Sequence, residues 1–160
     1  MRTNCAPPLR RSEKLAIGTR QSAIVPYAAA ALLSLLGLAD ALYLTIKHVS
    51  GQSVPCSVTG GCEEVLTSQY AVVAGIPLAL VGAAAYFSVF SLSTLSVFGY
   101  DIAPKLLRPL VAIMVLVSLW LIYLQAFVIR AFCQFCLVSA AITIVLTIVV
   151  FLARRKVVVR

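Results

Sequence analysis

The sequence is poor in charge and in the residues that ligate metals. Of its 160 residues only 11% are charged, five are acidic and one is histidine, whereas 62% are hydrophobic. Soluble domains carry roughly a quarter charged residues, and the mean hydropathy here is +1.05, so this composition excludes a soluble globular domain. His48 and five scattered cysteines are also too few for haem or iron–sulfur ligation.

Long apolar stretches take the place of the missing charge. Four of them reach the ~20 residues that a helix needs to cross a bilayer, and they cover residues 22–46, 75–98, 106–128 and 135–153. Short connections at the second and third turns favour antiparallel neighbours. The sequence therefore predicts an all-α membrane protein, a four-transmembrane-helix antiparallel bundle whose first connection is a long outer loop.

Lysine and arginine are distributed unequally between the two sides of these spans. Eleven of the thirteen lie in the basic tails, 1–21 and 154–160, or in the turn between the second and third spans. Only Lys47 and Arg130 lie on the other side. Because positive charge is retained in the cytoplasm, we expect a cell-membrane protein with both termini cytoplasmic. Cations placed this way set topology, and nucleic-acid binding is not predicted.

The predicted topology also separates the five cysteines. Cys56, Cys62, Cys133 and Cys136 fall on or beside the outer loops, whereas Cys5 lies in the cytoplasmic tail. Disulfides persist outside the cytoplasm, so the four outer thiols form two candidate pairs. One alternative is a structural disulfide between Cys56 and Cys62. Another is a zinc site made of all four, although zinc sites prefer tighter ligand spacings.

The second pair has the spacing of a redox motif. Cys133 and Cys136 form a C-x-x-C at the start of the fourth span, where the helix N-terminus lowers a thiol pKa. Cys136 lies ~4.5 Å deeper than Cys133 at 1.5 Å per residue, and we expect it to be the thiolate. Two pairs on separate loops suit a relay from water into the membrane. Its acceptor would be a lipid quinone, of the menaquinone, phylloquinone or ubiquinone class.

These motifs, taken in order, resemble the vitamin K epoxide reductase family, and in particular its bacterial thiol-oxidising homologues. The resemblance covers about residues 25–153. Its residues are Pro55-Cys56, the C-x5-C to Cys62, then Val65, Ser68-Gln69-Tyr70-Ala71, Gly75-Ile76-Pro77 and finally Cys133-Gln134-Phe135-Cys136.

The resemblance implies a four-helix bundle around a quinone, capped by the first outer loop with its short helix. It further implies that Cys136 reacts with the quinone and that Cys133 relays to the loop. Cys56 and Cys62 would then exchange with a thioredoxin-like, DsbA-like protein. Ser68 matches the family's loop Ser/Thr, which is associated with the active site, although many loop serines only cap the backbone.

Two departures modify these expectations. Animal epoxide reductases carry a tyrosine four residues after the second C-x-x-C cysteine, where this chain has Ala140, so epoxide chemistry is not expected. Many bacterial relatives continue into a fused thioredoxin-like domain, whereas this chain ends at Arg160, so the partner is expected to be a separate protein.

One acidic residue lies inside a predicted span. Asp40 is costly at that depth and is therefore a functional candidate that could supply protons to a quinone. The alternative is that it faces polar groups of the bundle or lies nearer the membrane surface.

A different class of function stays open from sequence alone. The chain could be a non-catalytic membrane scaffold or transporter subunit whose outer loops are held by disulfides. A catalytic C-x-x-C must cycle between redox states, whereas a structural disulfide would resist mild reductant.

Overall fold

A computed structural model describes residues 11–56 and 60–158 of the protein, with side chains described for residues 24–56 and 60–153. The helices of this part are α1 (Arg11–Val49), α2 (Cys62–Leu66), α3 (Leu78–Val97), α4 (Ala103–Tyr123) and α5 (Gln134–Val158). Two short strands, β1 (Val72–Val73) and β2 (Ile76–Pro77), pair antiparallel.

The four long helices are long and apolar enough to cross a membrane. The candidate spans are Ile24–Val49, Leu78–Val97, Ala103–Ile129 and Gln134–Ala153. Large apolar side chains such as Leu32, Phe87 and Leu116 are more than half exposed on the outside of the bundle, as expected where lipid replaces water. The predicted all-α membrane fold with four spans is confirmed.

The long helices pack chiefly in a ring: α1 packs against α3 and α5, and α4 packs against the same two helices. Tyr86 of α3 fills the interior and is 2% exposed. Its hydroxyl donates to the Ser139 carbonyl oxygen at 2.8 Å, and the hydroxyl oxygens of Ser139 and Thr143 lie 2.9 Å away. A Cβ on Gly37 of α1 would overlap the Tyr86 ring, so this close packing requires glycine.

Most serine and threonine hydroxyl groups on α3 are satisfied within the helix. Four of them donate to the carbonyl oxygen four residues earlier at 2.8 to 2.9 Å, and the donors are Ser88, Ser91, Thr94 and Ser96. Because lipid offers no hydrogen-bond partners, this arrangement lets polar residues lie within a span. The buried hydroxyl of Ser93 has no partner among the described residues.

Helix α1 begins earlier than the predicted first span. It starts at Arg11, so the predicted basic tail, 1–21, is helical over its second half. Pro7 and Pro8 precede this start, and the next proline is Pro26. A proline-free stretch lets the helix extend beyond the apolar residues that define the span. Cys5 lies outside the described residues.

The first outer loop, 50–77, lies at what we call the loop end of the bundle. It carries α2 and then a tight hairpin in which Val72 pairs with Pro77 and Val73 with Ile76. Ala74 and Gly75 have φ angles of 52° and 81°, as a two-residue hairpin turn requires. The N–H of Leu78 donates to the Ala71 carbonyl at 2.8 Å, which joins the hairpin directly to α3.

The second outer loop is shaped by an irregular helix end. After Tyr123, helix α4 continues as a π-helical turn, Leu124–Ile129, which ends at Arg130 in the left-handed conformation with φ 56°. π-helical turns are rare and occur often at functional sites. From Ile129, the last residue of this turn, the chain reaches Cys133 at the start of α5 in four residues.

Candidate redox site

The first cysteine pair is a disulfide in the outer loop. Cys56 and Cys62 are bonded, with their Cα atoms 5.8 Å apart. Cys62 is fully buried at the start of α2, whereas Cys56 is half-buried in the irregular segment before it. A bonded pair does not match the alternative in which all four outer thiols ligate zinc.

The disulfide loop lies directly on the segment that precedes the second pair. Gly61 has no side chain, and a Cβ at this position would lie 2.9 Å from both the Ala131 Cβ and the Phe132 backbone nitrogen. Cys62 and Cys133 consequently belong to the same buried cluster. The two predicted pairs therefore meet at the loop end, with a glycine at the point of closest approach.

Cys133 caps the N-terminus of α5. It directly precedes the helix, and its Sγ accepts the backbone N–H of Cys136 at 3.4 Å. The Cys136 thiol and the amides of Phe135 and Cys136 favour the thiolate. They lower the pKa of Cys133 to about 7, although burial of Cys133 opposes the shift. We expected the thiolate at Cys136, but the residue at the cap, not the one inside the first turn, meets the free amides.

Gln125 is a site residue that the sequence analysis missed. It is 2% exposed in the π-helical turn, and its Oε1 accepts the backbone N–H of Cys133 at 3.1 Å. Its backbone carbonyl accepts the N–H of Ala131 at 3.2 Å. One glutamine thus fixes both the turn and the start of α5. The available signal was a lone amide side chain in an apolar span, eight residues before Cys133.

An apolar cavity lies between the four long helices at the loop end. The space between its lining atoms is about 850 Å³, a volume that includes open solvent at its mouth. Its polar lining is sparse and consists of Asp40, Ser68, Tyr70, Ser118, Gln125, Cys136 and Ser139. A flat apolar ring with two carbonyl groups, as in a quinone, fits this combination of apolar walls and few polar groups.

Some of the predicted site residues line the cavity, and the others lie between the cavity and the outer loop. Cys136 lines the cavity, together with Asp40 of α1. Ser68 also lines it, but the Ser68 hydroxyl donates to the Val65 carbonyl oxygen at 2.7 Å. Ser68 therefore caps α2 in this structure, which is the simpler of the two roles considered from sequence. Cys133 is buried between the cavity and the loop disulfide.

Comparison of the sequence with known protein families identifies a match that includes this site. The family model described as "Vitamin K epoxide reductase family" matches residues 28–151. This chain belongs to the vitamin K epoxide reductase family. The matched range contains the four outer cysteines and the residues that line the cavity.

A curated relative adds a narrower similarity. The chain is 46% identical over 55 residues to the "Thiol-disulfide oxidoreductase LTO1" of Arabidopsis thaliana. The matched stretch covers 34% of this chain and 15% of that relative.

Within the family, this chain differs from the animal epoxide reductases at a position that faces the cavity. Ala140 lines the cavity one turn below Cys136 and is 4% exposed. A tyrosine there would extend a phenol into the space that the Ala140 methyl group leaves empty. The substitution thus alters the cavity next to the deeper cysteine.

Proposed function

We propose that this protein is an integral membrane thiol:quinone oxidoreductase that reoxidises a separate thioredoxin-like protein and so supports disulfide bond formation. Family membership and the similarity to a thiol-disulfide oxidoreductase support thiol oxidoreductase chemistry. The observation that carries the proposal is the continuous sequence of sulfurs, from the loop disulfide through Cys133 to Cys136 at an apolar cavity.

The burial of the loop cysteines supports an order for the first exchange. A thiolate of the partner attacks Cys56, the more accessible sulfur, which releases Cys62 next to Cys133. The partner's second thiol then breaks the mixed disulfide. The partner leaves oxidised, and Cys56 and Cys62 become a dithiol.

The second exchange moves two electrons to the helix pair. Cys62 attacks Cys133 in a Cys133–Cys136 disulfide, and Cys136 leaves as the displaced sulfur at the cavity wall. Cys56 then attacks Cys62, which restores the loop disulfide and frees Cys133. A bonded loop pair beside two helix thiols is the arrangement that this scheme requires before electrons pass to the quinone.

A lipid quinone in the cavity would supply the two-electron acceptor. Cys136 would contact the acceptor, and the apolar walls would exclude water. The Cys133–Cys136 disulfide would form as two electrons and two protons leave the pair. The charge distribution supports a cell-membrane location with cytoplasmic termini, so the loop cysteines would meet an extracytoplasmic partner. Impermeant thiol reagents applied to intact, reduced cells would then label Cys56.

The decisive experiment uses purified protein in lipid nanodiscs without oxygen. The protein is reduced, freed of reductant and mixed with menadione or a short-chain ubiquinone in separate samples. We expect one quinone reduced for every two thiols lost, measured by absorbance and thiol labelling. Cys136→Ala should abolish the reaction, and Cys5→Ala should not. Equal activity in Cys136→Ala, or none in the parent, would favour the non-catalytic scaffold.

A further inference from the structure

Asp40 is a half-buried residue whose carboxyl group has no evident structural partner at one oxygen. Its Oδ2 is buried and accepts no hydrogen bond from the described residues. An unpaired carboxylate oxygen within a span is expensive, whereas a protonated carboxyl group is much less so. Asp40 also lines the same cavity as Cys136. Packing does not explain why an aspartate lies at this position, so a functional role for Asp40 is indicated.

Among the described residues, Asp40 is the one acidic residue that lines the cavity, and the other titratable groups near it are tyrosines and cysteines. Asp40 interacts electrostatically with Tyr86 on α3 and with Cys133 and Cys136 on α5. Tyr70 of the outer loop lines the cavity as well. The Tyr86 hydroxyl is already bonded to groups of α5. The cavity residues on α4 do not titrate near neutral pH.

The reaction needs two protons, and the helix pair carries one. Cys133 caps α5 as a sulfur acceptor, a geometry that favours its thiolate, with a pKa of about 7. At a pH above about 7 the reduced pair then holds mainly one proton, on Cys136. Reduction of a quinone to a quinol takes up two electrons and two protons. A second proton must come from another group at the cavity.

We propose that Asp40 is the proton donor for quinone reduction and stores the second proton beside the cysteine pair. This inference rests on the proposed function. In the balanced step, the Cys133 thiolate, the Cys136 thiol, protonated Asp40 and quinone give the Cys133–Cys136 disulfide, the Asp40 carboxylate and quinol. One sulfur–sulfur bond forms, two electrons pass to the quinone, and its two protons come from Cys136 and Asp40.

The next round restores the proton without exchange with water. The loop dithiol holds two protons when it reduces the Cys133–Cys136 disulfide. One of these protons ends on Cys136 and the other on the Asp40 carboxylate, while the loop disulfide and the Cys133 thiolate form. Protons would thus follow the electrons from the extracytoplasmic thiols to the quinone.

The first test compares Asp40→Asn with the parent in single-turnover reduction of menadione. General acids contribute 10²- to 10⁴-fold, so we expect a loss of about 100-fold. Reduction of the helix pair by dithiothreitol should slow much less, because water can accept the proton that Asp40 would otherwise take up. The variant should also slow further as pH rises, because water must supply its proton. Asp101→Asn, at the turn before α4, is the matched control and should match the parent.

The second test keeps Asp40 and does not depend on the folding of a variant. The chain has two aspartates, so isotope labelling of aspartate in Asp101→Asn reports on Asp40 alone. The infrared difference spectrum, taken before and after menadione oxidises the reduced protein, should show loss of a labelled protonated carboxyl band.

The outcomes separate this inference from the proposed function. If the parent fails to reduce menadione, the proposed function is wrong. If the parent reduces menadione but Asp40→Asn matches its rate and pH profile, only the role of Asp40 is wrong. Equal loss of dithiothreitol reduction and menadione reduction in Asp40→Asn, or an unchanged carboxyl band in the parent, would also overturn it.

Discussion

The two cysteine pairs differ in how the chain holds them. The loop pair is joined covalently across six residues, and Cys56 lies in an irregular segment without helical hydrogen bonds. The helix pair is held by a sulfur cap, by Gln125 and by the first turn of α5. Disulfide exchange with another protein requires an accessible sulfur, whereas electron transfer inside a membrane requires a fixed one. The two pairs satisfy these requirements separately.

The strongest test of this division removes the accessible sulfur. Cys56→Ala should abolish turnover with the thioredoxin-like partner, because Cys62 is fully buried. Small permeant dithiols should still reduce the Cys133–Cys136 disulfide and drive quinone reduction. Quinone reduction is measured with each donor in turn. Equal losses with the two donors would show that the loop pair does not accept electrons for the helix pair.

The contact between the two pairs can be broken without touching a cysteine. Gly61→Ala would place a methyl group 2.9 Å from the Phe132 backbone nitrogen, so the loop must move away. Because displacement by about 1 Å can cost 10²-fold, we expect exchange between the pairs to slow about 100-fold. Rapid quenching and thiol labelling would measure the exchange.

Gly60→Ala is the matched control for that change. It adds the same methyl group where nothing lies within 4 Å, although its φ of 67° makes alanine unfavourable. Exchange near the parent rate would show that the clash, not local backbone strain, separates the pairs. Equal slowing in both variants would contradict the role of the Gly61 contact.

The fixed geometry of the helix pair depends on Gln125. Gln125→Leu would leave the buried N–H of Cys133 without its acceptor, at a cost of about 2 kcal/mol, within the usual 1 to 3 for such a group. That is roughly a 30-fold change in the folding equilibrium, measured by denaturant unfolding.

Gln125→Glu provides the conservative comparison. It keeps an acceptor for the Cys133 N–H, so the loss of stability should be smaller than in Gln125→Leu, although burial of its carboxyl group opposes the recovery. The added negative charge should raise the pKa of Cys133. If Gln125→Leu unfolds like the parent, the Gln125 hydrogen bond does not stabilise the start of α5.

The smallest expected effect is on pH dependence. With the pKa of Cys133 lowered to about 7, alkylation at Cys133 by a small permeant reagent, measured at that residue in the reduced protein, should fall about tenfold per pH unit well below 7 and level off above it. The lowered pKa also favours the folded state above the ordinary thiol pKa, and this contribution is lost as pH falls through about 7. Half-maximal alkylation near pH 9 would contradict a lowered pKa for Cys133 at the N-terminus of α5.

Local sequence signals accounted for the spans and the cysteine motif. Apolar length identified four helices, and the C-x-x-C spacing located the start of α5. The residues that the sequence did not reveal act through tertiary contacts. Gly61 matters because Ala131 and Phe132 pack against it, and Gln125 matters because a π-helical turn directs it towards Cys133. Neither contact follows from helical periodicity.

The position of the cap explains a second difference. The thiolate was expected at Cys136 because the C-x-x-C was placed where the helix begins, with Cys136 as its deeper thiol. A shift of the helix start by one residue is within the ordinary error of boundary prediction. That shift transfers the amide contacts to Cys133, and so exchanges the expected charge states of the two sulfurs.

The burial of Cys62 and Cys133 has a consequence for selectivity in the cell. Extracytoplasmic fluid also contains small charged disulfides, which would drain reducing equivalents before they reached the bilayer. Both sulfurs are 0% exposed, so an oxidant that cannot enter the membrane meets neither of them. Electrons that pass Cys56 would therefore be protected from uncatalysed side reactions, and the ratio of quinol formed to partner disulfide formed should approach one.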